Sequence, residues 1–125
     1  MQWKEPKNTD KYYWTAHAKM KMRHYGLSEQ AVRRVIRAPE RTEEGIVQKT
    51  IAVMKPPSAR TVDGKRSWTQ EVWVMYQTKK PADAAQNLTT AAKVKIISAW
   101  RYPGVSPHNN PIPEDILDEI SELSL

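Results

Sequence analysis

Between residues 17 and 24 the chain reads HAKMKMRH, a segment dense in side chains suited to acid–base chemistry. His17, Lys21 and His24 are spaced i, i+4, i+7, so a helix here stacks two imidazoles and an ammonium on one face. Histidine titrates near neutrality and serves as base or acid, while lysine and arginine offset developing negative charge and grip phosphates. Arg23 lies within the same segment. A metal is not the expected occupant. At 1.5 Å rise per residue, His17 and His24 stand about 10 Å apart along the axis. Zinc histidines on a helix sit at i, i+4, and the chain has no cysteine to complete a site. No cofactor is expected, and His108, in a proline-rich stretch, is expected to be solvated.

That face exists only if the segment is helical, and its flanks support this. Gly26 suits a left-handed C-cap, Ser28 an N-cap, and Ala31, Val32, Val35 and Ile36 space out a buried stripe. Pro39 pushes its predecessor out of helical geometry. The expectation is two helices, over 13–25 and 28–37, after a polar lead-in in which Trp3 is a possible anchor.

Three strands are expected, over 46–54, 70–77 and 94–101. Residues 40–44 read as a charged connection, and 45–55 as a β-branched strand with Val47, Ile51 and Val53 on one face. Residues 58–67 form a basic loop with an Asp63-Gly64 turn. The second strand alternates Val72, Val74 and Tyr76 against Glu71, Trp73 and Met75. Residues 78–93 are polar and alanine-rich, a loop or a short helix. The third alternates Val94, Ile96, Ser98 and Trp100 against Lys95, Ile97, Ala99 and Arg101, and its two apolar faces suit an interior strand. A proline-rich crossing over 103–113 leads to Pro113, which opens an acidic helix over 114–123 with Ile116, Leu117, Ile120 and Leu123 as its buried stripe. The layout is α+β: one domain, 1–125, with two helices on one face of a three-stranded or slightly larger antiparallel sheet and an added C-terminal helix.

The net charge of +6 hides an asymmetry. All 20 Lys and Arg precede residue 102, and Glu114, Asp115, Asp118, Glu119 and Glu122 crowd the end, so residues 1–113 carry +11 against nine Asp and Glu. A body that basic favours polyanions such as RNA. Without a signal-like apolar run, a membrane-length segment or a cysteine, the expectation is a cytoplasmic protein with no membrane partner.

His17-Ala18, Lys21 and Gly26-Leu27-Ser28 before Val32, closed by Pro39, resemble small domains of unknown function that open with H-A-x-x-R-M-x-x-R-G-I-S. Lys21 stands at the pattern's first arginine, and the second falls near Arg23 or His24. Val94–Arg101, with Ile97-Ser98-Ala99 before Arg101, resembles the closing strand of BrnT-type toxins. Both groups belong to the RelE-like superfamily of ribonuclease toxins, and the resemblance covers about residues 12–102. It implies a metal-independent endoribonuclease of the kind that acts as the toxin of a toxin–antitoxin pair, with an antitoxin or other protein as partner. On that reading His17 is base or acid, Lys21, Arg23 and His24 support it, Arg101 contacts phosphate, and Tyr102 stacks on a base. Lys65, Arg66 and Lys95 add cations, and Trp68 is a further stacking candidate. Trp73, Tyr76 and Trp100 read as core.

Two other classes compete. A non-catalytic nucleic-acid- or protein-binding module keeps the fold without the chemistry. A DNA-binding helix-turn-helix is suggested by Gly26 between two helices, with Arg33, Arg34 and Arg37 on the second. The apolar stripe of that helix and the strands that follow argue against it.

Overall fold

The computed structural model describes residues 2–44, 46–79 and 93–123. Its elements run β1 (Tyr12–Trp14), α1 (Ala16–Tyr25), α2 (Glu29–Arg37), β2 (Arg41–Glu44), β3 (Ile51–Lys55), β4 (Arg60–Val62), β5 (Lys65–Ser67), β6 (Gln70–Lys79), β7 (Lys93–Pro103) and α3 (Glu114–Ser121). The class is α+β, as expected. No helix among the described residues is long and apolar enough to cross a membrane.

The sheet departs from the three-stranded antiparallel expectation. It has five strands in the order β1-β7-β6-β3-β2, and β1 runs parallel to β7 while the other pairs are antiparallel. Tyr13 and Trp14 of β1 fall in the span expected to open the first helix, and β2 falls in the expected charged connection. Both are short polar-flanked segments that become strands only because a partner edge is in register: Tyr12 opposite Val94, and Arg41 opposite Met54. Residues 46–50, read as strand, instead turn. Thr50 N–H and Oγ1 both donate to the Val47 carbonyl, at 3.1 and 2.7 Å, and Lys49 adopts φ 65°. The basic loop folds into a separate β4–β5 hairpin across the expected Asp63-Gly64 turn. Of the undecided stretch 78–93, residues 80–92 lie outside the described residues.

Ser28 and Gly26 cap as expected, whereas α1 opens at Ala16 and not at 13, because Thr15 caps it. Thr15 Oγ1 accepts from Ala18 N–H at 3.0 Å to open α1, and Ser28 Oγ accepts from Ala31 N–H at 3.1 Å to open α2. Gly26, at φ 67°, lets Leu27 N–H reach back to the Met22 carbonyl at 2.8 Å and close α1.

Two cores lie on opposite faces of the sheet. On one, Leu27, Val32 and Val35 pack on Val53, Val72, Val74 and Ile96; on the other, Ile112, Ile116 and Ile120 pack on Met54, Trp73, Met75 and Trp100. So α2 and α3 cover opposite faces. α1 lies beside β7 where β1 ends: Thr15 N–H donates to the Ile96 carbonyl at 3.2 Å, and Arg101 Nε donates to the Tyr25 carbonyl at 2.8 Å. Its Ala18 and Met22 join the α2-side core, which leaves His17 and Lys21 to turn toward α3.

The expected alternation holds in β6 and fails in β7. Tyr76 pairs with Ile96 but Met75 pairs with Ser98, so Ile97 is an extra residue and the facing pattern shifts by one. Val94, Ile96 and Ala99 consequently share one core, while Ile97 and Trp100 share the other. In α3, Ile116 and Ile120 are buried, but Leu117 and Leu123 are 41 and 36 % exposed, which corrects the four-residue stripe.

A buried carboxylate fixes the proline-rich crossing. Glu71, with no exposure, accepts from Ser106 Oγ at 2.6 Å, from the Trp73 and Trp68 indoles at 2.8 Å each, and lies 3.5 Å from Arg41 Nη1. Arg41 also donates to the Ser106 and Pro107 carbonyls and stacks over Trp73, which stacks on Trp100. The Trp100 indole then holds the Pro111 carbonyl at 3.0 Å.

Removing one partner of this buried network leaves the others uncompensated. Glu71→Ala is expected to cost about 3–5 kcal/mol in denaturant unfolding. Removing residues 113–125 strips Ile116 and Ile120 from the core and is expected to abolish the cooperative transition, read by circular dichroism.

Candidate functional site

The side chains with acid–base potential converge where α1 meets α3 across β7. His17 is buried, with Nε2 3.0 Å from Ser98 Oγ and Nδ1 3.5 Å from Glu119 Oε2. Lys21, one turn on and also buried, donates from Nζ to Glu119 Oε1 at 2.7 Å. One carboxylate thus spans an imidazole and an ammonium.

Ser98, His17 and Glu119 follow the order of a nucleophile, a base and an orienting acid. Ser98 has no exposed surface, however, so a substrate cannot reach Oγ, and its bond orients the imidazole instead. The His17–Glu119 approach is an ion-pair distance, not a hydrogen bond: Glu119 Oε2 is buried with no hydrogen-bond partner. Burial holds the His17 pKa below its ordinary value; the Glu119 charge opposes that shift and Lys21 adds to it.

The remaining candidates do not gather at this point. His24, although on the same helical face, is exposed and packs edge-on against Tyr25 with ring centroids 4.8 Å apart. Arg23 is exposed. Arg101 is half-buried and already engaged, capping the Tyr25 carbonyl and donating to Gln70 Oε1 at 3.0 Å, so it is not the free phosphate contact expected of it. Trp68 and Tyr102 are half-buried against the α3-side core, the Trp68 indole N–H is bound to Glu71, and Trp68 also lines a surface depression with Ser58 and Arg60. Arg66, on the exposed hairpin with Lys65, donates to Glu40 at 2.7 Å, and Lys95 is half-buried. His108, expected to be solvated, is exposed and lies 3.6 Å from Glu43 Oε1.

Two members of the cluster escaped the sequence reading as site residues. Ser98 was assigned to a strand face, although a hydroxyl inside an apolar strand signals a buried partner. Glu119 was one of five acidic residues with nothing to single it out.

A second polar feature lies on the outer side of α2. Gln30, Arg33, Arg34 and Arg37 line a surface depression of about 360 Å³. Arg34 and Arg37 are exposed, Arg33 sits over the Tyr12 ring at 4.9 Å, and Lys11 approaches the same ring at 5.6 Å. Among the described residues, none of the three arginines has an ion-pair partner.

Comparison with protein-family models, curated proteins and solved structures found no match to the chain.

The shifted groups predict how stability responds to acid. With its folded pKa below 6.5, His17 binds fewer protons folded than unfolded, so stability falls as pH drops from 6.5 through the folded value. His17→Asn is expected to flatten that part of the curve. Glu43 and Glu71 are also held below 4.5: Arg41 hydrogen bonding dominates for Glu43, and for Glu71 the cost of burial is outweighed by Ser106, Trp73 and Trp68. Their stabilisation is present above pH 4.5 and is lost on further acidification. Denaturant midpoints measured from pH 3 to 8 check both segments.

Proposed function

We propose that the chain is a RelE-like module that binds single-stranded RNA through the outer face of α2. The observation that carries this reading is the contrast between two sets of cations. Lys21 is neutralised by Glu119 and Arg101 is tied to α1, whereas Arg34 and Arg37 are exposed beside Arg33 without ion-pair partners among the described residues. Guanidinium groups grip phosphate oxygens in a planar, bidentate geometry. The +11 body supplies the long-range field that draws a polyanion in. The helix–helix–meander layout and the His17-Ala18…Gly26-Leu27-Ser28 pattern support the RelE-like assignment.

The ribonuclease reading is favoured by one specific observation: His17 and Lys21 stand one turn apart and share a single anionic group. In metal-independent cleavage, His17 takes the 2′-hydroxyl proton, O2′ bonds to phosphorus as the P–O5′ bond breaks, and the 5′-oxygen takes a proton from solvent water. Lys21 offsets the charge gathering on the phosphate oxygens. This chemistry requires Glu119 to vacate the pair. A toxin role with an antitoxin partner belongs to this second reading.

Fluorescence anisotropy with a labelled oligoribonucleotide is expected to show binding at low salt that weakens steeply as salt rises. Arg34→Ala/Arg37→Ala is expected to reduce the log–log salt slope by about 1.4, the share of two phosphate contacts on a single strand. Unchanged affinity in that variant overturns the α2 assignment, and preference for duplex DNA restores the helix-turn-helix reading. On the same RNA, an active enzyme cleaves in EDTA and loses about 10²-fold or more in His17→Ala; equal or absent cleavage leaves the binding module.

A further inference from the structure

The His17–Lys21 pair has the geometry of an anion site, and the group filling it is the chain's own. Glu119 Oε1 takes a charge-assisted bond from Lys21 at 2.7 Å, while Oε2 faces His17 Nδ1 at 3.5 Å without a hydrogen bond. Ser98 Oγ, 3.0 Å from Nε2, holds the ring so that Nδ1 points at the carboxylate. Lys21 is 8 % exposed, so its ammonium draws its compensation from the carboxylate more than from bulk water. The cradle therefore demands an anion and binds its present one with a single good hydrogen bond.

We infer that His17 and Lys21 form a phosphate-binding site that Glu119 occupies in cis. A tetrahedral phosphate group presents one oxygen to Lys21 Nζ and another to His17 Nδ1, where the planar carboxylate reaches only the first with full geometry. Vacating the site does not require α3 to leave. Ile116 and Ile120 anchor that helix in the core, but the Glu119 side chain is 35 % exposed, so rotation of one side chain into solvent opens the cradle. The site is separate from the α2 arginines and stands whether or not RNA binds them.

Thermal unfolding of the full chain in inorganic phosphate, against chloride at matched ionic strength, tests this. In Glu119→Ala the melting temperature is expected to rise with the logarithm of phosphate concentration above the dissociation constant, by about 5 °C at a tenfold excess. The wild-type chain, whose own carboxylate competes, is expected to respond far less. Lys21→Met/Glu119→Ala is expected to lose the response. A Glu119→Ala chain that folds only when phosphate is present also supports the site. If that variant is unfolded at every phosphate concentration, Glu119→Gln, which keeps the side-chain volume, decides: a Lys21-dependent phosphate response supports the site, and none overturns it. An equal response in wild type, or one that survives loss of Lys21, overturns it as well. Competition by an oligoribonucleotide for the Glu119→Ala site identifies the phosphate as a diester, and lack of competition identifies it as the free ion.

Discussion

A carboxylate with no exposed surface is the constraint on which the rest of this molecule depends. Burying an ionised Glu71 costs several kcal/mol unless charge and hydrogen bonds replace the lost water. Here they come from three directions: Arg41 on β2, two indoles on and beside β6, and Ser106 in the proline-rich crossing. Meeting that need binds the edge strand and the crossing to the sheet together. The crossing, once pinned at Ser106 and again at Pro111 by Trp100, has one course left, and it delivers α3 onto the face opposite α2.

The position of α3 then decides the chemistry of α1. Because α1 runs along the β7 edge with Ala18 and Met22 turned to one core, its next face turns toward α3. The bulge at Ile97 places Ser98 on that side, and Glu119 arrives from above. A basic row that would otherwise be open to solvent is closed by one carboxylate at its first two members. Cations on the opposite layer, along α2, are left facing outward.

Much of the fold follows from local residue types. Ser28 and Gly26 cap helices because a hydroxyl or a missing Cβ satisfies backbone groups that no other part of the chain needs to supply. The strict alternation of β6 is legible for the same reason, since both its faces are buried and each residue type reports its side. Segments of three or four residues are not legible in this way: β1 and β2 carry too little pattern, and an already formed edge makes them strands. Residues 46–50 failed in the opposite sense, because β-branched content without a partner strand does not make one.

For the site, the sequence by itself determined that His17, Lys21 and His24 share a helical face, since 3.6 residues per turn permits nothing else. It also determined that the acidic residues end the chain on an amphipathic helix. Only the tertiary structure decided how far along that face a neighbour extends: α3 covers the turns bearing His17 and Lys21, and His24 remains in solvent. It likewise chose Glu119 among five carboxylates, and it spent Arg101 and Trp68 on the Tyr25 carbonyl and Glu71. Periodicity fixes direction around one axis; which group lies at the end of that direction depends on contacts between residues as far apart in the chain as Lys21 and Glu119, and those are set by where the buried Glu71 draws the crossing.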